Sequence, residues 1–151
     1  MDHTHESSAA MHAALFQFHR HPTMVADHTG VVRAWNRAAE RCTGLSSERV
    51  IGRPLWEVEA SVAPATVPYE QALESARRRF HALVAGHHTG DDGWTHRSRG
   101  AILSTSGTLH FVRTEVFPIQ VGERIMIVAE LSDSPAADPE PAEGFSHPVR
   151  P

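Results

Sequence analysis

The sequence predicts an α+β domain in which helices interrupt an antiparallel sheet, and three stretches predict it. The first is "ADHTGVVRAWNRAAERCTG", residues 26–44, which passes from turn to strand to helix in under twenty residues. The second is a run of helical periodicity through the middle of the chain. The third is a late set of strand-like segments separated by the hairpin turns Ser106-Gly107 and Val121-Gly122-Glu123. Runs of strands separated by runs of helices read as α+β rather than as alternating α/β.

At the N-terminus, residues 1–9 read as a disordered start. Met11, Ala14, Leu15 and Phe18 then recur at spacings of three and four, which predicts an amphipathic helix ending before Pro22. Residues 23–27 and 31–35 are short strands joined by the Asp27-His28-Thr29-Gly30 turn. Asn36 stands at the joint between strand and helix. Its side-chain oxygen can take an orphan N–H of the first helical turn, so it predicts the N-cap of a helix over 37–43. Gly44 supplies the left-handed residue that ends such a helix. Ser46 or Ser47 is expected to cap a further short helix over 47–51, closed by Gly52 and Pro54.

Residues 60–68 carry two prolines and read as loop. Tyr69, Ala72, Leu73, Ala76, Phe80 and Leu83 mark one face of a longer helix ending at Gly86. A loop rich in Gly, His and Asp, 86–93, leads to strands over 96–105, 108–119 and 124–132. From residue 134 onward, four prolines between Pro135 and Pro148, with acids among them, describe a flexible tail. The folded domain is therefore expected over residues 10–133, with tails at 1–9 and 134–151.

Charge narrows the function classes. All fourteen basic residues are Arg, and the chain has no lysine, which excludes a P-loop lysine, a kinase lysine and Schiff-base chemistry. Three of the four net negative charges fall in residues 133–151, leaving a nearly neutral body with no basic face for nucleic acid. Arg77, Arg78 and Arg79 point in three directions on a helix and read as a solvated face. No apolar run is long enough for a membrane span, and the N-terminus lacks a signal-peptide layout, so cytoplasm is the expected location. The single cysteine, Cys42, excludes an internal disulfide and reads as a small hydrophobe among apolar neighbours. There is no G-x-S-x-G, nucleophile–base pairing or paired carboxylates on one element, so no enzyme activity is expected.

The stretch "MVADHTGVVRAWNRAAERCTGLSSERVIGRPLWEV", with "TSGTLHFVRTEVFPI" and "RIMIVAELSD" after it, resembles the PAS domain family over residues 10–133. The resemblance implies a five-stranded antiparallel sheet, with helices on one face enclosing a small cavity. It also implies a sensor that binds a ligand or cofactor and signals through dimer contacts or flanking helices. No output domain lies within these residues. The implied partner is a second copy or a signalling protein such as a kinase or a transcription regulator.

Strand parity nominates the lining of such a cavity. Ile102, His110, Val112, Val116, Ile125 and Ile127 face inward, and Phe80 and Trp56 close the opposite wall. His110 is the polar anchor, as hydrogen-bond partner or haem ligand; its plainer reading is a core-edge histidine bonded to a backbone carbonyl. His81, on the long helix, falls off the apolar face and looks along the rim or outward, away from any haem. The family's light-sensing members carry a reactive Cys where this chain has "IGRPLWEVE", so no flavin adduct is expected. Non-covalent flavin beside Trp56 stays open, against Trp56 as a core residue. His87, His88, Asp91 and Asp92 are metal-ligand types in a loop, without a third fixed ligand. The cofactor is thus unassigned.

Parity also leaves Leu109, Phe111, Phe117, Met126 and Val128 on the outer face of the sheet. Such a patch needs a cover. The N-terminal helix, from the same chain or a second one, is the expected cover, and a homodimer on that face follows.

Overall fold

A computed structural model describes residues 3–86 and 94–134. Its elements are α1 (His3–Phe18), β1 (Thr23–Asp27), β2 (Val32–Trp35), α2 (Arg37–Thr43), α3 (Ser47–Val50), α4 (Leu55–Ser61), α5 (Tyr69–Gly86), β3 (His96–Leu103), β4 (Leu109–Val121) and β5 (Arg124–Asp133). The strands form one antiparallel sheet in the order β2-β1-β5-β4-β3. The expected five-stranded architecture holds. Residues 87–93, with His87, His88, Asp91 and Asp92, and residues 135–151, where a tail was expected, lie outside the described residues.

Three expectations need correction. The N-terminal helix begins at His3, so most of the stretch read as disordered start belongs to α1. Residues 55–61, within and before the expected loop, form α4, which Pro54 opens without a side-chain cap. Proline suits a helix start because its missing N–H is an orphan there anyway. Neither serine caps α3: Ser46 makes no capping bond, and the Ser47 N–H is instead taken by Glu40 Oε2 at 2.7 Å. A longer side chain from α2 thus does the work that a local serine was expected to do.

The core lies between the sheet and α2–α5. Met24 of β1, Trp35 of β2 and Ile127 and Ala129 of β5 meet Ala39, Val50, Leu55, Val58 and Phe80 from the helices. On α5 the buried positions are Ala76 and Phe80, one helical turn apart, while Tyr69 is exposed because α5 has only begun there. β5 is the central strand, and Ile127, Val128 and Ala129 are buried in succession. Val128 lies on the outer face, between Val25 and Phe117 in register, so its neighbours shelter it.

α1 does not cover that outer face. Met11, Leu15 and Phe18 are 55%, 64% and 67% exposed, and Leu109 and Phe111 of β4 are 46% and 41% exposed. The own-chain version of the expected cover is therefore overturned.

Candidate functional site

The turn after β1 is built around one carboxylate. Asp27 Oδ1 accepts from the Thr29 N–H, the Thr29 hydroxyl and the Val31 N–H, and Oδ2 from Arg33 Nε. Burial works to raise the Asp27 pKa, but these hydrogen bonds outweigh it and hold the group at about 2. The turn closes on Gly30 at φ +93°, a conformation that favours glycine. Close packing demands glycine there as well: a Cβ would lie 2.9 Å from Trp56 Cη2 and 3.2 Å from Phe80 Cε1. The turn therefore presses on the aromatic wall.

That wall is continuous. The Trp56 and Phe80 ring centroids are 5.7 Å apart, and His81 lies against Trp56 at 5.2 Å with the ring planes tilted by 51°. His81 itself is exposed, on the rim as its helical angle predicts. Opposite stand Ile102, Val116, Ile125 and Ile127. Ile127 is buried; Trp56, Ile102, Val116 and Ile125 are half-buried and pack on the same cluster. Six of the eight candidate lining residues thus come together. Trp94 and Val84 join them and were missed. Trp94 gave no signal because it follows a loop, and Val84 because Leu83 beside it fits the helical stripe equally well.

The other two candidates stand apart. His110 pairs Ile102 across the β3–β4 ladder, half-buried on the inner side near the hairpin end. Val112 is buried but borders a separate cavity of about 90 Å³, with Cys42, Arg20, His21, Leu131 and Asp133. Cys42 is therefore not among purely apolar neighbours. Burial first, and Asp133 second, push its thiol upward, which makes it a poor nucleophile. A volume of about 90 Å³ is well below that of pockets for drug-sized ligands, about 300–1,000 Å³.

The aromatic side chains lie against one another rather than around a gap for a flat macrocycle. Haem or flavin does not fit between them in this packing. Among the described residues, no group of three or more His, Cys, Asp or Glu could hold a metal ion. Nor, among them, is any helix long and apolar enough to cross a membrane.

Asn36 does more than cap α2. It is fully buried. Its Oδ1 accepts from the Ala39 N–H at 2.9 Å and from the Thr23 N–H at 3.0 Å. Its Nδ2 donates to the Phe16 and His21 carbonyls at 3.2 and 3.0 Å. One side chain therefore joins α2, β1, the end of α1 and the connecting segment. The Arg37 guanidinium adds a contact 4.5 Å above the Phe18 ring. This joint leads from the core to α1.

Comparison with known proteins agrees with this architecture. A family model described as PAS fold matches residues 20–133. No curated protein matches. Among solved structures, the chain is similar to the PAS domain of an HTR-like protein from Haloarcula marismortui, at 16% identity and a TM-score of 0.63, covering 87% of this chain and 95% of that one. It is also similar to the PAS domain of Bordetella pertussis BvgS, at 16% identity and a TM-score of 0.61, covering 87% and 89%. A PAS domain from a two-component sensor histidine kinase matches at 14% identity and a TM-score of 0.59, covering 86% and 99%. With the Asp27 turn, the Asn36 joint and the five-stranded sheet in this order, the chain belongs to the PAS family of sensory domains.

Proposed function

We propose that this PAS domain signals as a homodimer, through contacts made by α1 and the outer face of the sheet. The observation that carries the reading is the exposure of two apolar surfaces in one chain. One is the α1 stripe of Met11, Leu15 and Phe18; the other includes Leu109 and Phe111. A short helix without packing is marginal in water, so α1 gains most from a covering surface. A second copy offers both surfaces at once, in the self-complementary manner of a two-fold dimer. The Asn36 joint would then carry a change in the core to that contact. Sedimentation equilibrium of the full chain tests this. Dimer is expected at micromolar concentration, and Leu15→Glu with Phe111→Glu should give monomer. A wild-type monomer at several hundred micromolar would overturn it.

The signal on this reading is a small apolar molecule held inside. What supports it is that Trp56, Trp94, Ile102, Val116 and Ile125 remain half-buried although they face the interior. Large apolar side chains left half-covered, with His110 beside Ile102 as polar anchor, have the makeup of a ligand site. Native mass spectrometry of freshly purified protein should show a retained mass, lost in Val116→Trp, which adds bulk among these side chains. If no mass is retained, or Val116→Trp keeps it undiminished, the domain is a ligand-free interaction module acting on a second copy or a signalling partner.

A further inference from the structure

Three charged side chains stand in register across the outer face of the sheet, and a histidine from the segment that holds α1 meets the last of them. Arg97 of β3 approaches Glu115 of β4, with Nε 2.7 Å from Oε2. Glu115 stands directly opposite Glu130 in the β4–β5 register. Glu130 Oε2 is in turn 2.9 Å from His19 Nε2, one residue past the end of α1. Like charges directly opposite on neighbouring strands repel, so each carboxylate depends on the base beside it. The two bases differ. Arginine keeps its charge at every pH the protein meets, whereas histidine changes charge between about pH 5 and 8.

We propose that the His19–Glu130 pair is a pH-sensitive latch that ties the end of α1 to the sheet in mildly acidic conditions and loosens it as His19 loses its proton. Glu130 from β5, with Glu115 behind it on β4, presents carboxylates to the ring. The basic groups near the pair are His21, 5.5 Å away ring to ring, Arg20 on the same segment and Arg37 of α2 above Phe18. The closed latch needs an ionised carboxylate and a protonated imidazole together, so it is tighter in mild acid than in alkaline solution. Neutral His19 in its Nε2–H tautomer still donates one hydrogen bond to Glu130, without the attraction between opposite charges. The latch therefore loosens rather than breaks. Asn36 keeps hold of Phe16 throughout, because its amide does not titrate.

Amide hydrogen exchange over residues 12–19 of the full chain, expressed as protection factors at pH 5.5 and 8.0 and one protein concentration, tests the latch. Wild type should lose about threefold protection at the higher pH, the scale of a partly exposed ion pair. Glu130→Gln should be low at both pH values and His19→Arg high at both. A flat wild-type profile overturns the proposal. So does a pH dependence that survives in Glu130→Gln, which would place the titrating group elsewhere. The contrast between variants reads the latch whether or not a second copy covers α1, so its failure and that of the dimer reading are separate results.

Discussion

Around Asn36 and at the outer surface of α1, the same chain treats its side chains in opposite ways. At the joint, a polar side chain is fully buried and every hydrogen-bonding atom on it has a partner. Along α1, Met11, Leu15 and Phe18 are more than half exposed, and Phe18 meets its own chain through the Arg37 guanidinium. Buried polar groups without partners are costly, whereas exposed apolar groups cost little until a better surface is offered. The joint is therefore specified by one residue, and α1 by a pattern that tolerates change. That difference fits a domain whose core must stay fixed while its outer contacts respond.

The strongest test of the contrast is Asn36→Ala. It leaves the Thr23 and Ala39 N–H groups without their partner and takes one of two partners from the Phe16 and His21 carbonyls, which keep the His19 N–H and the Thr23 hydroxyl, at a cost of about 3 kcal/mol. A urea midpoint close to wild type would mean that water replaces the amide at no loss. Gly30→Ala should cost about 2 kcal/mol, because the methyl group meets Trp56 and Phe80 and the backbone φ is +93°. Thermal melts of Gly30→Ala with and without Trp56→Leu would separate the two causes; relief by the second change identifies contact as the larger.

Acid should act at the Asp27 turn next. The folded pKa of Asp27 is about 2, below the usual value of 3.8, so the unfolded chain binds its proton first as pH falls. Its contribution is present above about pH 4 and is lost as pH falls through about 2. It amounts to roughly 2 kcal/mol for this mostly buried carboxylate. Denaturant melts between pH 5 and 2 should show this slope, and Asp27→Asn should flatten it. The smallest effect on folding belongs to Leu15→Ser, within about 0.5 kcal/mol by the same melts. It should nonetheless weaken self-association measurably, and a loss of fold stability above 1 kcal/mol would show that α1 supports the core of its own chain.

Legibility followed the range of the physical cause. Residues 23–44 were read nearly to the residue, because a D-x-x-G turn, an N-cap and a left-handed glycine act over four or five positions. Gly44 does adopt φ +79° and Asn36 does accept from Ala39. Strand parity likewise placed Ile102, Val116, Ile125 and Ile127 on the inner face, since alternation along a strand is a local rule. Glu40 as the partner of Ser47 was not legible, because a seven-residue reach depends on how two helices meet. Nor was the separation of Val112 from the aromatic cluster, although its parity was right; depth along the strand decided which cavity it borders.

The sequence by itself determined the order of elements, the inner and outer faces of the sheet and the joint at Asn36, because periodicity and capping are written in near neighbours. Only the tertiary structure decided where α1 goes. A stripe of Met11, Leu15 and Phe18 states that a helix has an apolar side, but not which surface meets it. That choice fell to contacts between residues far apart in the chain. Asn36 holds the Phe16 carbonyl from twenty residues away, and Glu130 holds His19 from 111. These bonds anchor the base of the helix beside the sheet and leave its apolar side free for another surface.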